Sequence, residues 1–89
     1  MRAVITVVGK DTVGILAKVS GICAENKINI TEVTQSVLED MFCMIMLADI
    51  SQSTVEFTKF ADDLAEYGEE NGLSIHAMHE DIFNSMHKI

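Results

Sequence analysis

Tryptophan and proline are absent from this sequence, and aromatic residues make up only 6% of it. A sheet surface of stacking aromatic side chains, which single-strand RNA-binding modules need, is therefore excluded. Hydrophobic residues still account for 48% of the 89 residues, and six of them are methionines. We expect one domain with an aliphatic, methionine-containing core, which buries about 60 to 65% of its unfolded surface and gains from burial against a partner.

Basic residues are also scarce. Six Lys and Arg stand against 14 Asp and Glu, which gives a formal net charge of -8. The first 30 residues hold four basic and two acidic side chains, so the acidic excess lies in the remaining 59 residues. This acidic bulk repels phosphate backbones, and we expect no nucleic-acid partner. The first third of the chain is close to neutral and could accept a zwitterion.

Long hydrophobic runs and closely spaced cysteines are missing as well. The apolar segments Ala3–Val8 and Met41–Ala48 are far shorter than the ~20 residues of a spanning helix, and the first is too short for a signal peptide. Cys23 and Cys43 are not spaced as a metal-binding pair, and each lies in an apolar pattern. We expect two buried free thiols in a cytoplasmic protein without membrane contact, in preference to a disulfide.

Catalytic and metal-binding patterns are equally absent. His76 and His79 fall on a predicted strand, where an odd spacing places them on opposite faces, so they cannot share a metal ion without a bend. No nucleophile and base pattern, carboxylate pair in an apolar setting or phosphate loop is visible. We therefore expect no enzyme activity, no catalytic residue, no metal and no cofactor.

The most informative segment follows the β-branched run Ala3–Val8. That run breaks at Gly9, after which Asp11 or Thr12 can cap a helix whose apolar residues recur at helical spacing from Val13 to Asn26. A strand, a tight loop and a helix N-terminus form a cradle for a small ligand, because unpaired amides and the helix dipole favour an anionic group such as a carboxylate. Gly14 leaves room for close backbone approach.

A hairpin is predicted next. Ile30–Leu38 is rich in Thr and Val without a helical stripe, and the polar pair Glu39–Asp40 separates it from the apolar run Met41–Ala48. Two such segments joined by a two-residue turn are typical of adjacent antiparallel strands. They give strands two and three.

The remaining elements follow in the same way. Ser53 and Glu56 form a capping-box pattern for a second helix, which should end near Asn71–Gly72. Alternation over Leu73–Met78 predicts strand four. The order β-α-β-β-α-β with right-handed crossovers predicts an α+β, ferredoxin-like fold, a four-stranded antiparallel sheet with two helices on one face.

A short C-terminal helix completes the predicted fold. Asp81 can cap it, and one of its faces is apolar, formed by Ile82, Phe83, Met86 and Ile89. We expect one domain over residues 1–89, with a core at 1–80 and a helical segment at 81–89. The sheet face opposite the two main helices lacks cover, so the terminal helix or a second copy of the chain should pack there. A homodimer is therefore expected.

These residues resemble the ACT family of regulatory domains. The resemblance rests on two segments. One is Asp11–Val19, Asp-Thr-Val-Gly-Ile-Leu-Ala-Lys-Val, and the other, which leads back from the helix into the next strand, is Ala24–Ile30, Ala-Glu-Asn-Lys-Ile-Asn-Ile. The C-terminal segment Ile82–Ile89 further resembles that of a group of bacterial and archaeal proteins with a single ACT domain. The element order agrees over the whole chain, and about 20 residues carry the specific pattern. Val13 is a departure, because many members have proline there.

The resemblance implies a βαββαβ fold, dimers, and an amino acid bound where the first loop meets a neighbouring subunit. It implies a ligand contact by Asp11, amides or close approach at Val13 and Gly14, and a hydrogen bond across the interface from Asn29. Each has a structural alternative: Asp11 as a helix cap, Gly14 in helix-on-sheet packing, Asn29 as a turn residue. The full candidate ligand-binding set is Asp11, Thr12, Val13, Gly14, Asn29 and Ile30.

Two functions remain open on this basis. The first is a homodimeric sensor that binds a small molecule, an amino acid or related metabolite, and modulates a partner enzyme or regulator. The second is a dimerisation or protein-interaction module without a ligand.

Overall fold

The structure, a computed structural model, describes residues 1–10 and 14–86. The elements follow the predicted order and confirm the ferredoxin-like fold with a short C-terminal helix. They are β1 Arg2–Gly9, α1 Ile15–Glu25, β2 Asn29–Leu38, β3 Met41–Asp49, α2 Phe57–Glu70, β4 Ser74–His79 and α3 Glu80–Met86.

The four strands form one antiparallel sheet in the order β2-β3-β1-β4. β1 is central, where its β-branched residues are favoured, and β2 and β4 are the edges. Thr6 of β1 pairs with Ile45 of β3 and His76 of β4, and the neighbouring residue Val7 pairs with Met44 and Ile75. Because side chains alternate along a strand, these two rows lie on opposite faces.

The helix-covered face carries the core. On it, Ile5, Val7, Met44 and Met46 are at most 1% exposed. They pack with residues of both main helices, namely Ile15, Val19, Cys23, Phe60 and Leu64. The core is thus mostly aliphatic and contains two methionines, as the composition predicts, together with Phe42 and Phe60.

The opposite face, which we call the open face, carries Val4, Thr6 and Val8 of β1 with Cys43, Ile45 and Leu47 of β3. Val4 is 1% exposed, yet it does not belong to the core cluster under α1 and α2. The cover comes from α3, which contacts β1 and β4. At the same end, Arg2 Nε donates a hydrogen bond of 3.2 Å to Glu80 Oε1.

Two helix starts differ from prediction. α1 begins at Ile15, two residues later than expected, with Gly14 at its N-cap position. The predicted caps Asp11 and Thr12 lie outside the described residues. α3 begins at Glu80 directly after β4, so Asp81 lies in its first turn and does not cap it.

The predicted capping box of the second helix is wrong. α2 begins at Phe57 with Glu56 at its N-cap, and no side chain caps it. Ser53 bonds locally instead, because its Oγ lies 2.8 Å from the Val55 carbonyl and accepts the Val55 amide at 3.3 Å. A serine side chain that closes its own turn is no longer available to a helix three residues later.

Candidate functional site

The junction between β1 and α1 depends on Gly14. Its φ is 76°, a left-handed conformation that disfavours side chains. A Cβ there would meet nothing within 4 Å, so the helix-on-sheet packing alternative for Gly14 is wrong. The residue is needed for its backbone conformation.

The start of α1 leaves donors free of intrahelical partners. The first helical bond runs from the Lys18 amide to the Gly14 carbonyl at 3.0 Å. The amides of Ile15, Leu16 and Ala17 therefore have no acceptor within the helix, and Gly14 has no side chain with which to cap them. The predicted ligand residues Asp11, Thr12 and Val13 lie outside the described residues.

Gly9, at the end of β1, is held by packing that the sequence did not reveal. A Cβ on Gly9 would collide with Leu73 Cδ2, because Leu73 packs against the end of the strand. A side chain at this position would therefore require Leu73 to move its terminal methyl group. The sequence placed a break at Gly9, whereas the contact that favours glycine there comes from a residue 64 positions later in the chain.

Asn29 and Ile30 lie at the other end of the sheet. Asn29 pairs with Asp49, which pairs with Arg2 at the start of β1, whereas Gly9 lies at the end of β1. Seven residues of strand separate the two positions, roughly 23 Å. Within one protomer, the structure does not bring Asn29 to the loop that precedes Gly14.

A β-bulge follows these two residues. The pairing of β2 with β3 shifts between Ile30 and Glu32, and Thr31 Oγ1 donates a hydrogen bond to the Leu47 carbonyl at 3.2 Å. Ile30 is half-buried against the core, whereas Asn29 is exposed at the strand start. A bulge bends a strand locally and redirects its side chains. Nothing in the Thr-rich sequence singled out Thr31.

The edge strand β2 bears an apolar border. Val33 and Val37 lie on its helix-side face, 39% and 64% exposed, and Leu16 of α1, 38% exposed, is a third exposed apolar residue on this side of the sheet. Every residue of β2 is exposed except Ile30. Within the described residues β2 is an edge of the sheet, so alternate residues along it point backbone donors and acceptors outward, which is the usual template for another strand.

A cavity of about 470 Å³ opens at the start of β1, lined by Met1, Arg2, His79, Glu80, Asp81 and Ile82. It lies at the opposite end of β1 from Gly14. Nearby, hydrogen bonds from Ser51 to the Asp49 carboxylate lower the pKa of Asp49. The lining residues come from the two ends of the described chain, and no spacing pattern could have connected them.

The cysteines and histidines stand on different surfaces. Both thiols are free, with Cys23 on the buried face of α1 and Cys43 half-buried on the open face, and burial raises the pKa of Cys23 to about 11. His76 lies on the open face, while His79 lies on the other face and stacks on Phe57 at 4.3 Å. Among residues 1–10 and 14–86, no group of three metal-donor side chains comes together, and no helix is long and apolar enough to cross a membrane.

Comparison with known proteins gives consistent results. The family model of the ACT domain matches residues 2–78. A UPF0237 protein of Clostridium perfringens is 52% identical over 89 residues, covering 100% of both chains. An ACT domain protein from Streptococcus pneumoniae superposes with a TM-score of 0.81 at 37% identity, covering 93% of each chain. The ligand-free regulatory subunit of aspartate kinase from Thermus thermophilus superposes with a TM-score of 0.63 at 25% identity, covering 85% of this chain and 49% of that one.

Proposed function

The chain belongs to the ACT domain family, a family of regulatory, ligand-binding domains, and from this premise we propose that it is a homodimeric sensor of an amino acid or a related small metabolite. Its occupancy modulates a partner enzyme or regulator, a role in line with its similarity to the regulatory subunit of aspartate kinase. It performs no catalysis itself. Two free thiols suit the reducing cytoplasm, where we expect it to act.

The observation that carries the proposal is the distance between the two halves of the site. Gly14 lies beside the end of β1, and Asn29 lies at the opposite end of the sheet on its free edge. If β2 pairs antiparallel with β2 of a second copy about a two-fold axis, the partner's Asn29 lies beside Leu38 of the first copy. That is the end of the sheet where β1 enters the loop. The site is then completed by the partner.

The edge itself suits this pairing. Glu32 is the one charged residue among the ten of β2, so two copies meet there without opposing rows of carboxylates. Val33, Val37 and Leu16 would then bury their exposed apolar surface between the paired edges and the two α1 helices. An obligate interface is expected to be apolar in this way.

The ligand chemistry follows from the donors. Free amides at Ile15, Leu16 and Ala17 favour a carboxylate, because the start of a helix carries partial positive charge. Asp11, where the family resemblance places a polar ligand contact, suits an ammonium group. The Asn29 side-chain amide both donates and accepts hydrogen bonds and can serve either group. Together these groups fit an amino-acid zwitterion.

The alternative is an interaction module that associates without a ligand. The exposed apolar residues of the β2 edge and of the open face favour association whether or not a ligand binds. Thermal unfolding against the twenty amino acids and common metabolites separates the two functions. A sensor should gain about 2.7 kcal/mol at a hundredfold excess of ligand over its Kd. A module without a ligand should respond to none of them.

Variants then test the site. Asn29→Ala should abolish the ligand shift with little change in the unliganded protein, because the side chain is exposed. Gly14→Leu should also abolish it, but a left-handed side chain costs roughly 1 to 2 kcal/mol on its own. Gly72→Leu is the matched control, because Gly72 has a φ of 70° and a Cβ there also meets nothing within 4 Å. It should show the same loss of stability and keep the ligand shift.

Mixing the two defective variants tests whether the site is shared. A heterodimer of Asn29→Ala and Gly14→Leu contains one intact loop facing one intact Asn29, so random mixing should restore about a quarter of the sites. If both residues acted within one protomer, the mixture would bind no more ligand than its components. Isothermal titration calorimetry of the mixture, after exchange of subunits, decides between these results.

A further inference from the structure

The cavity at the start of β1 borders a buried nitrogen that has no partner. His79 Nδ1 is shielded from solvent and makes no hydrogen bond within the described residues. The His79 ring is stacked on Phe57, with 4.3 Å between the ring centroids, which fixes the plane of the ring. Buried polar atoms are normally bonded to protein, water or a ligand. His79 lines the cavity, so a molecule bound there can supply the missing partner.

The cavity is large enough for a small organic molecule. Its volume of about 470 Å³ lies within the range of about 300 to 1,000 Å³ that is usual for ligand sites. One water, which occupies about 30 Å³ in the liquid, would leave most of it unfilled. Ile82, 51% exposed, and Met1, 76% exposed, add apolar surface to the lining. A ligand with a short hydrocarbon chain can therefore lie against these side chains.

Both basic groups at the cavity already have acidic neighbours. Glu80 Oε1 accepts a hydrogen bond of 3.2 Å from Arg2 Nε, and Glu80 Oε2 forms an ion pair with Arg2 Nη2. The Met1 ammonium donates to Ser51 Oγ at 3.1 Å, and the Ser51 amide donates to Asp49 Oδ1 at 2.9 Å. Each of the two positive charges thus has a carboxylate near it.

Asp81 is the carboxylate that remains without a counter-ion. Its side chain lines the same cavity and is exposed. Within the parts of the chain that the structure describes, it forms neither an ion pair nor a side-chain hydrogen bond. A cation at this position would be attracted by the unpaired charge. A metal ion is a poor fit, because no three donor side chains come together among residues 1–10 and 14–86. An organic ammonium group needs no such cluster.

We propose that this cavity binds a small aliphatic amine that carries a second hydrogen-bond donor. Its ammonium group pairs with Asp81, and its second donor bonds to His79 Nδ1, which accepts when the ring proton is on Nε2. Two residues of chain separate these side chains, a span of at most about 7 Å between Cα atoms, which a four-carbon ligand matches. The site lies at the opposite end of β1 from Gly9. It is therefore independent of the amino-acid site proposed at the start of α1.

Three ligands of equal chain length test the site by two-dimensional NMR of the wild-type chain. 4-Amino-1-butanol should shift the amides of Asp81 and Ile82 and leave that of Gly14 unchanged. Butylamine lacks the hydroxyl and should bind roughly 2- to 10-fold more weakly, because His79 Nδ1 then stays without a partner. 1,4-Butanediol lacks the ammonium, so it should bind more weakly than aminobutanol and, unlike it, show no dependence on salt.

Variants assign the two contacts. His79→Phe keeps an aromatic ring beside Phe57 and removes the nitrogen, so it should bind aminobutanol and butylamine equally. Its stability without ligand should not fall, because a buried unpaired atom is lost. His76→Phe, at an exposed position of the open face, is the matched control and should keep the difference between the two ligands. Asp81→Asn should weaken both amines and remove their salt dependence, whereas Asp62→Asn, at an exposed position of α2, should do neither.

The outcomes distinguish this site from the loop site. The proposal is wrong if aminobutanol does not bind at tens of millimolar, or if its shifts centre on Gly14. Equal binding of aminobutanol and butylamine to wild type would also overturn it, and that comparison needs no variant. If aminobutanol binds as expected while no amino acid stabilises the protein, this site stands and the amino-acid sensor fails. Retained amine binding in Asn29→Ala would show that the two sites are separate.

Discussion

Along β3, the two faces of the sheet carry similar residues and differ in what covers them. Along β3, Met44 and Met46 are 1% and 0% exposed under the helices, whereas Met41 and Ile45 on the open face are 38% and 43% exposed. The strand is apolar on both sides, as in sheets that are covered on both faces. The chain supplies full cover for one face and partial cover for the other. The difference indicates that the helix-covered face supplies most of the protomer's core, whereas the open face stays partly accessible.

The largest expected effect comes from comparing two methionines of β3, one on each face of the sheet. Met46→Ala removes a fully buried side chain from the core and should lower the free energy of unfolding by about 2 to 5 kcal/mol. Met41→Ala acts on the open face and should cost well under half as much, because much of that side chain is already exposed. Urea unfolding at low protein concentration measures both. Equal losses would show that the open face belongs to the folding core.

The fold could be predicted from the sequence because its signals are local. The β-branched run of β1, the helical spacing of Val19 and Cys23, and the polar turn at Glu39–Asp40 each specify one element. Right-handed crossovers then leave few topologies for that order. The boundaries were less secure. Ser53 matched a helix-capping pattern, yet its hydroxyl bonds within its own turn, and only the three-dimensional contacts distinguish the two uses.

The candidate site was harder to predict, because it depends on backbone conformation and on strand register, which short sequence patterns do not specify. Gly14 was singled out for space, whereas its left-handed φ is the reason a glycine is needed. Asn29 and Gly14 are 15 positions apart in sequence and lie at opposite ends of the sheet. Which end Asn29 occupies follows from the register of β2 on β3. That register depends on pairing, bulge and turn together, and the sequence alone does not determine whether a second copy completes the site.

A second prediction compares the thiols on the two faces. Burial raises the pKa of Cys23 to about 11 from an ordinary value of 9.0, so between these values the folded chain holds a proton that the unfolded chain has lost. The free energy of unfolding should therefore fall as pH rises from about 9 to about 11. Cys23→Ala should unfold more easily at neutral pH and show a shallower decline over this range. Parallel pH curves for the two proteins would contradict the assignment.

Chemical labelling compares the reactivity of the same two thiols. At neutral pH the buried Cys23 thiol reacts only when the protein opens, whereas Cys43 lies half-exposed on the open face. In dilute protein, iodoacetamide should modify Cys43 first, as mass spectrometry of the digested protein would reveal. Modification of Cys23 at the same rate would mean that α1 opens readily.

The smallest effect concerns the ion pair that joins α3 to the open face. Arg2 and Glu80 side chains are 47% and 26% exposed, so solvent screens the pair, and Glu80→Gln should cost at most about 1 kcal/mol. Its effect should be local: amide hydrogen exchange in α3 should speed up while α1 and α2 stay unchanged. Asp63→Asn, which removes the Lys59–Asp63 pair within α2, is the control and should leave α3 untouched. Concentrated salt should bring wild-type exchange in α3 close to that of Glu80→Gln. If exchange in α3 is the same in both proteins, apolar packing alone holds this helix on the open face.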